Sequence, residues 1–184
     1  PARVVQQPLR WLEAISSFRA TTSGGPNFIY EACVDRLRVE DCHALDLSSW
    51  RVAFNGAEPI RAETLDRFAE KFAPCGFRPE AFFPCYGLAE ATLFVSGGPK
   101  ASGTVEQLVS KAGLARRCVA APQNSADRVR VVGCGRPAAD QLLAIVDGET
   151  LVPCAEGQIG EIWVSGPGVA QGYWRHPQET EETF

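Results

Sequence analysis

The first half of the chain alternates between segments with the apolar spacing of an amphipathic helix and short apolar runs typical of buried strands. The predicted elements are, in chain order, a helix over 8–18, a strand over 20–23, a helix over 28–38, a strand over 50–54, a helix over 61–72 and a strand over 81–85. The Gly24-Gly25-Pro26 triplet is expected to end the first strand. This alternation predicts an α/β fold that contains part of a helix-flanked, mainly parallel sheet.

The second half has a different pattern. Gly, Ser, Ala, Gln and Asn are frequent over residues 97–130, which we interpret as a long surface insertion with one short helix over 104–112. Glycines then separate three β-like runs, at 129–132, 142–146 and 159–164, which predict a small antiparallel sheet or barrel. The predicted units are an α/β subdomain over 1–96, the insertion over 97–130 and a small β-rich subdomain over 131–184.

Composition excludes several classes of protein. With 45% hydrophobic and 22% charged residues, the 184-residue chain is neither disordered, collagen-like nor a coiled coil. A net charge of −4 without a basic run argues against binding of nucleic acid through phosphate contacts, and no apolar run reaches the ~18 residues of a membrane span. Seven scattered cysteines without a Cys-x-x-Cys pair indicate reduced thiols of a cytoplasmic protein.

Common nucleotide and hydrolase motifs are absent from the sequence. There is no Gly-x4-Gly-Lys-Ser/Thr phosphate loop and no Gly-x-Ser-x-Gly elbow of a serine hydrolase. Gly166, Gly168 and Gly172 follow a predicted strand, but their spacing is not that of a dinucleotide-binding fingerprint. The chain also begins at Pro1 and contains no Met, so we expect it to be a piece of a longer polypeptide.

Three motifs remain as candidates for chemistry. They are Gly-Ala-Glu-Pro at 56–59, Tyr-Gly-Leu-Ala-Glu-Ala-Thr at 86–92 and Gly-Glu-Ile-Trp-Val-Ser-Gly-Pro-Gly-Val-Ala-Gln-Gly-Tyr-Trp at 160–174. The first two follow predicted strands, and α/β sheets bind their ligands beyond the carboxyl ends of strands. We therefore expect these two loops to meet and to form one ligand site that includes a carboxylate.

In this order, the three motifs resemble those of the adenylate-forming superfamily of acyl-CoA synthetases, adenylation domains and luciferases. Within it, the chain most resembles the fatty acyl-AMP ligases, on the segments 26–28, 46–50, 55–59 and 86–93. The stretch between Leu93 and Val132 is similar to the insertion of that family. Many relatives have Thr where this chain has Ala89, but fatty acyl-AMP ligases often have Ala there.

The motif at 86–92 supplies four candidate residues. The Tyr86 ring suits stacking on adenine, and Gly87 would let ligand atoms approach the backbone; the alternatives are a core tyrosine and an ordinary turn glycine. Glu90 is a hard oxygen ligand that suits Mg²⁺ bridged by phosphate oxygens, a catalytic role that the resemblance also implies, or else a solvated surface acid. Thr92 could bond a phosphate or cap a helix.

The resemblance implies further roles. Gly56, Ala57 and Glu58 would lie along the adenine and the substrate carboxylate, and Asn27 and Phe28 would line the acyl pocket unless they only form a turn before a helix. We assign the motif at 160–174 a structural role in a turn, without direct catalytic function. The family's phosphate loop, ribose-binding aspartate and catalytic lysine are not in this sequence, so we expect the piece alone not to adenylate fatty acids at a useful rate.

The resemblance also implies a reaction. A fatty acyl-AMP ligase uses ATP and Mg²⁺ to convert a fatty acid into an acyl-adenylate and pyrophosphate, then passes the acyl group to the phosphopantetheine thiol of an acyl carrier protein, often for polyketide or nonribosomal peptide assembly. The insertion at 97–130 is expected to disfavour coenzyme A as acceptor. Two alternatives stay open: a long-chain fatty acyl-CoA synthetase, and a non-catalytic module that binds nucleotide or lipid.

Overall fold

A computed structural model describes residues 2–38, 40–42 and 44–184 of the chain, with fifteen helices and strands. The helices are α1 (Ala2–Gln6), α2 (Leu9–Ser17), α3 (Asn27–Arg36), α4 (Ala62–Phe72), α5 (Lys111–Ala115) and α6 (Pro177–Thr183). The strands are β1 (Thr22–Gly25), β2 (Val52–Asn55), β3 (Phe82–Leu88), β4 (Leu93–Gly97), β5 (Glu106–Ser110), β6 (Arg128–Val132), β7 (Arg136–Pro137), β8 (Leu142–Val146) and β9 (Glu161–Ser165).

The largest sheet has the strand order β1-β2-β3-β4-β7. Strands β1, β2 and β3 are parallel, whereas β4 pairs antiparallel with β3 and β7 pairs antiparallel with β4. Helices α3 and α4 connect the three parallel strands, as the helix and strand alternation of the sequence requires. The α/β prediction is therefore confirmed, and β8 with β9 forms an antiparallel pair after the sheet.

The core lies between one face of the parallel strands and helices α2, α3 and α4. Ala53 and Phe82 point to this face and contact a cluster of buried aromatic side chains. Ring centroids in the cluster lie between 4.5 Å (Phe68 to Phe72) and 6.3 Å (Tyr30 to Trp50) apart, mostly in edge-to-face geometry. The rings are those of Trp11, Tyr30, Trp50, Phe68, Phe72, Phe77 and Phe82.

The polar atoms of these rings bond to the strands. The Trp50 indole donates to the carbonyl oxygens of Ser23 (3.1 Å) and Val52 (3.0 Å), and the Tyr30 hydroxyl donates to the carbonyl oxygen of Phe54 (2.7 Å). A buried indole or phenol needs such a partner, because an unpaired polar atom in the core is costly. The core thus fixes the position of β1 and β2 as well as filling space.

The opposite face of the sheet is apolar and largely open. Side chains alternate along a strand, so Phe54 and Phe83 point away from the helices. Phe83 stacks with Phe94 of β4 at a centroid distance of 6.4 Å, and Phe54 and Phe94 keep 38% and 45% of their surface exposed. A contiguous exposed apolar surface of this kind is typical of a binding site or an interface.

Two predictions about the strands are wrong. Strand β1 does not stop before Gly24 but runs through Gly25, because its backbone pairs with β2 from Thr22 opposite Val52 to Gly25 opposite Asn55. Residues 104–112 do not form one helix either. Their backbone pairs with β6 as strand β5, and the Ser110 side chain then accepts a bond from the Gly113 N–H (2.9 Å), which starts α5.

The run at 129–132 does not join the small antiparallel sheet. It forms β6, which pairs with β5, so the predicted boundary between residues 130 and 131 falls inside a strand. Arg130 of β6 donates to Glu106 of β5 (2.6 Å) and to Asp66 of α4 (2.5 Å). We call β5 and β6 together the β5–β6 hairpin; it is attached to α4 through this arginine.

Two further findings concern membranes and cysteines. Within the part of the chain that the structure describes, every helix is too short or too polar to cross a membrane.

All seven cysteines are free thiols, among which Cys33 is buried and Cys118 is exposed. Burial raises the pKa of the Cys33 thiol to about 12.

Substitution of Phe68 by Ala should lower the free energy of unfolding by about 3–5 kcal/mol, because a fully buried ring would leave a cavity among five other aromatic rings. Urea unfolding of the full-length protein, followed by tryptophan fluorescence, measures the change. Phe18→Ala is the matched control, since Phe18 is 84% exposed and its loss should change little. Equal effects of the two substitutions would contradict the position of the core.

Thiol labelling should distinguish the cysteines by burial. At pH 8, Cys118 should react first with iodoacetamide, and Cys33 should react only after unfolding, because only an accessible thiolate is nucleophilic. Mass spectrometry of tryptic peptides from the full-length protein gives the rate for each site. Labelling of Cys33 in the folded protein as fast as that of Cys118 would contradict the structure.

Candidate active site

The carboxyl ends of β2 and β3 lie side by side, because the two strands are parallel and pair as far as Asn55 opposite Pro84. The loop after β2 therefore lies against the end of β3. Gly56 is buried there, and a Cβ atom at this position would lie only 2.7 Å from the carbonyl oxygen of Cys85. Only glycine allows this approach, so the loop after β2 packs directly against β3. The second loop begins later than predicted, because Tyr86, Gly87 and Leu88 belong to strand β3.

The loop after β2 and the last part of β3 border one cavity of about 450 Å³ on the open face of the sheet. Its lining is almost wholly apolar and comes from four neighbouring strands and from the loops after β1 and β2. The lining residues are Thr22, Gly25, Pro26, Val52, Phe54, Gly56, Ala57, Phe83, Cys85, Tyr86, Gly87, Leu93 and Phe94. A cavity of this size and character suits a small organic ligand with a flat or apolar group. We call it the sheet cavity.

Tyr86 and Gly87 of β3 both line the sheet cavity, together with Cys85 before them. The pairing of β3 with β4 shifts between Tyr86 and Gly87, because Val95 of β4 is skipped in the register and forms a β-bulge there. At Gly87 a Cβ atom would lie 1.7 Å from the carbonyl oxygen of Leu93, which excludes any side chain. Tyr86 is half-buried and is not part of the aromatic core, which removes the core alternative for this residue.

Asn27 has a different position from the one expected. Its side chain is only 3% exposed and does not line the sheet cavity. Its amide nitrogen donates to the Thr64 hydroxyl (3.3 Å), and its amide oxygen accepts from the Arg61 N–H (3.1 Å) and from the Asn55 amide (3.5 Å). Asn27 thus joins the start of α3, the end of β2 and the start of α4.

Glu58 is bound to the start of α3. One carboxylate oxygen accepts the peptide N–H of Phe28 (2.5 Å), one of the donors that a helix leaves unpaired in its first turn. Ala57 before it has a φ of 69°, a left-handed conformation that turns the chain towards α3. Glu58 is therefore engaged within the protein, while the Phe28 ring keeps 42% of its surface exposed.

Glu90 lies in the one-turn 3-10 helix after β3, beside a second cavity of about 690 Å³ that also contacts β9 and the C-terminal segment. The Tyr173 hydroxyl donates to one oxygen of the Glu90 carboxylate and holds the pKa of this carboxyl below its ordinary value. The same bond raises the pKa of Tyr173. We call this cavity the Glu90 cavity.

Two more bonds join the same segments. The Ala170 N–H donates to the carbonyl oxygen of Glu90 (2.7 Å), and the Thr92 hydroxyl donates to the carbonyl oxygen of Gly168. The Thr92 side chain therefore neither caps a helix nor presents its proton to a ligand. The motif at 160–174 does more than shape a turn, because its last part contacts the segment that carries Glu90.

Tyr173 is the site residue that sequence reasoning missed. It lies 83 positions from Glu90, and no spacing rule links residues so far apart. Tyr86 and Glu90, in contrast, lie four positions apart but line different cavities on the two sides of the end of β3. The residues expected to form a single site thus line two cavities, the sheet cavity and the Glu90 cavity.

The carboxylate of Glu90 would suit a Mg²⁺ ion that takes its other ligands from phosphate and water. Among the described residues, no group of three or more His, Cys, Asp or Glu side chains could form an all-protein cage. Mg²⁺ commonly takes one or two carboxylates together with substrate phosphates and water. Glu90 supplies one such carboxylate. The Tyr173 hydroxyl donates to its Oε1 atom, and this bond leaves the lone pairs of Oε2 unused.

Known proteins that are similar to this chain are described as fatty acid ligases. The chain is 47% identical over its full length to the medium-chain-fatty-acid–[acyl-carrier-protein] ligase JamA of Moorena producens, and 43% identical to TtuA of Teredinibacter turnerae, which has the same description. It matches the crystal structure of a fatty acid AMP ligase from Legionella pneumophila with a TM-score of 0.93 and 48% identity over 99% of the chain.

A second Legionella pneumophila structure, of a fatty acyl-adenylate ligase in complex with acyl adenylate and pyrophosphate, matches with a TM-score of 0.92 and 47% identity over 98% of the chain. The chain spans 29–32% of the length of these relatives. The family model described as AMP-binding enzyme matches residues 1–174. Since that match includes both loops and the Tyr173 segment, the chain belongs to the AMP-binding enzyme family.

Proposed function

We propose that the full-length protein is a fatty acyl-AMP ligase, which uses ATP to convert a fatty acid into an acyl-adenylate and pyrophosphate. The observation that supports this most is the arrangement of Gly56, Ala57, Tyr86 and Gly87 around an apolar cavity, with Glu90 at the same strand end. The names of the relatives above, and the acyl adenylate in one of them, point to the same reaction.

The first step is an in-line displacement. A carboxylate oxygen of the fatty acid forms a bond to the α-phosphorus of ATP, the bond from that phosphorus to the bridging oxygen breaks, and pyrophosphate leaves. Catalysis of such a step consists of holding the two reactants in line and stabilising charge on the phosphate oxygens. When bound, Mg²⁺ supplies part of that charge stabilisation.

Each part of the site has a role in this step. The Tyr86 ring stacks on the adenine, and the glycine backbones at 56 and 87 let the base lie close to the strand ends. Glu90 would hold a Mg²⁺ ion, which would stabilise the charge on the phosphates of ATP. Phe28 borders the acyl group near the reacting carboxylate, whereas Asn27 and Glu58 act on ligands only through the segments that they hold in place.

The open sheet face suits the fatty acyl chain. Phe54, Phe83 and Phe94 form an apolar surface that continues into the sheet cavity. Transfer of an alkyl chain from water to such a surface is favourable by about 0.8 kcal/mol for each buried CH₂ group. This surface explains why a fatty acid, and not a small polar acid, is the proposed substrate.

The proposed acceptor is the phosphopantetheine thiol of an acyl carrier protein, whose sulfur attacks the acyl carbonyl carbon while AMP leaves. Residues 97–130, with the rest of β6, form the inserted unit that disfavours coenzyme A. The attachment of the β5–β6 hairpin to α4 through Arg130 and Asp66 supports a fixed position for this unit. We expect the enzyme to act in the cytoplasm, where its free thiols stay reduced.

The full-length protein should be incubated with ATP, Mg²⁺ and fatty acids of roughly 8 to 16 carbons, because each further CH₂ group buries more apolar surface. Pyrophosphate should be released only when the fatty acid is present. Glu90→Ala should lower turnover about 100-fold, equal to about 2.7 kcal/mol of barrier. Tyr86→Ala should raise the KM for ATP about tenfold, because stacking on a base contributes ~1–3 kcal/mol. Coupled detection of pyrophosphate measures both.

Glu13→Ala is the matched control for Glu90→Ala, because Glu13 is an exposed acid on α2, far along the chain from both loops. It should have wild-type activity. Release of pyrophosphate without any dependence on fatty acid, or equal turnover of the Glu90 and Glu13 variants, would refute the proposed function or the metal role of Glu90, respectively.

The choice of acceptor gives a second test. After formation of acyl-adenylate, the full-length enzyme should acylate a phosphopantetheinylated carrier protein at least about tenfold faster than coenzyme A, a difference of about 1.4 kcal/mol. Asp66→Asn should raise the share of acyl-CoA by loosening the β5–β6 hairpin from α4. Asp35→Asn breaks an ion pair with Arg67 outside the hairpin and should not. Acyl-CoA formation as fast as carrier acylation would contradict the proposed acceptor.

A further inference from the structure

Residues of the C-terminal segment contact Tyr173. Its backbone N–H donates to the Thr180 hydroxyl (2.9 Å), and that hydroxyl donates to the carbonyl oxygen of His176 (2.7 Å) at the start of α6. The Phe184 ring lies edge-on to the Tyr173 ring, with centroids 5.4 Å apart. The segment of α6 thus contacts both the backbone and the ring of Tyr173.

Glu90 lacks comparable support from its own segment. It lies in a 3-10 helix of three residues, and its side chain is partly exposed. Ordering a long, partly exposed glutamate side chain costs conformational entropy. The bond from Tyr173 removes much of this freedom, and the Ala170 N–H fixes the backbone of the same residue (2.7 Å).

The bond from Tyr173 also makes the two oxygens of the Glu90 carboxylate different. Tyr173 occupies Oε1, so the orientation of the carboxylate plane is set, and Oε2 is left with its lone pairs. Groups that hydrogen-bond a metal-binding carboxylate orient it, and their loss typically weakens metal affinity or activity by about 10- to 100-fold.

We propose that Tyr173 is a positioning residue, which orients the Glu90 carboxylate so that Oε2 meets the Mg²⁺ ion on the phosphates of ATP. The inference rests on the proposed function for its nucleotide, and it adds to the site a residue from the motif at 160–174. A purely structural role of the same bond, in which Tyr173 only fastens two segments together, makes a different prediction: lower stability without a change in the metal dependence.

The test uses Tyr173→Phe in the full-length protein, a change that removes one hydroxyl and keeps the ring. Mn²⁺ replaces Mg²⁺ as a paramagnetic probe, and free Mn²⁺ is counted by electron paramagnetic resonance in the presence of α,β-methylene-ATP, whose α–β bond is not cleaved. The affinity for Mn²⁺ should fall about tenfold. In turnover, half-maximal pyrophosphate release should need about tenfold more Mg²⁺, while the KM for fatty acid stays the same.

Tyr30→Phe is the matched control, since it removes a hydroxyl that bonds the Phe54 carbonyl oxygen in the core. It should lower the melting temperature without changing the affinity for Mn²⁺. An unchanged Mn²⁺ affinity of Tyr173→Phe, whatever its melting temperature, would refute the inference, as would the absence of Mn²⁺ binding by the wild-type complex.

The two proposals fail in distinguishable ways. If fatty acids do not stimulate pyrophosphate release but Tyr173→Phe still weakens Mn²⁺ binding, the proposed function is wrong and the positioning role stands. If fatty acids do stimulate release and the variant binds Mn²⁺ like the wild type, the function stands and the role of Tyr173 is wrong.

Discussion

The buried amide of Asn27 connects the segments from which the sheet cavity is built. It bonds the end of β2, the N–H of Arg61 and the hydroxyl of Thr64, so the loop between β2 and α4 is held at both ends. Glu58 in the middle of that loop returns to the first turn of α3. Both polar atoms of the Asn27 amide are bonded, whereas the Oδ1 atom of the neighbouring Asn55 is buried without a partner among the described residues. The loop is therefore held through the amide of Asn27, whose displacement would leave further buried polar atoms unpaired. The backbone at Gly56 can then lie against β3 without a flexible loop between them.

The two sides of the site depend on different kinds of contact. The sheet cavity is formed by strand order, alternation and buried aromatic packing, all within the first hundred residues. The Glu90 cavity depends on a loop from the last twenty residues, which reaches Glu90 through Tyr173 and Ala170. The rigid side suits a base and an apolar chain that need shape complementarity, and the loop side suits a phosphate-bound ion that needs one well-directed carboxylate.

Local patterns in the sequence were sufficient for the elements of the first half. The helix predicted over 61–72 matches α4, and the strands predicted over 50–54 and 81–85 match β2 and the first part of β3, which continues to Leu88. Parallel pairing then places the loop after β2 beside β3. Local patterns failed where partners lie far away. Residues 106–110 became a strand because β6 pairs with them, and Glu58 turned to Phe28, 30 positions earlier. The Tyr173 contact spans a still longer separation, and its hydroxyl stands in a motif whose glycines suggested only a turn.

The bulge in β4, opposite Tyr86 and Gly87, also limits which changes of chain length the site tolerates. Tyr86 faces one cavity and Glu90 the other, and the intervening backbone is fixed by the pairing of β3 with β4 and by the close contact of Gly87 with Leu93. Insertion or deletion of one residue here would exchange the faces of the remaining residues of β3, since strand side chains alternate. Sequence variants that change the number of residues between Tyr86 and Glu90 should therefore alter the placement of these two side chains relative to each other. Length changes in the turn at 123–127, which lies outside both cavities, should leave that placement intact.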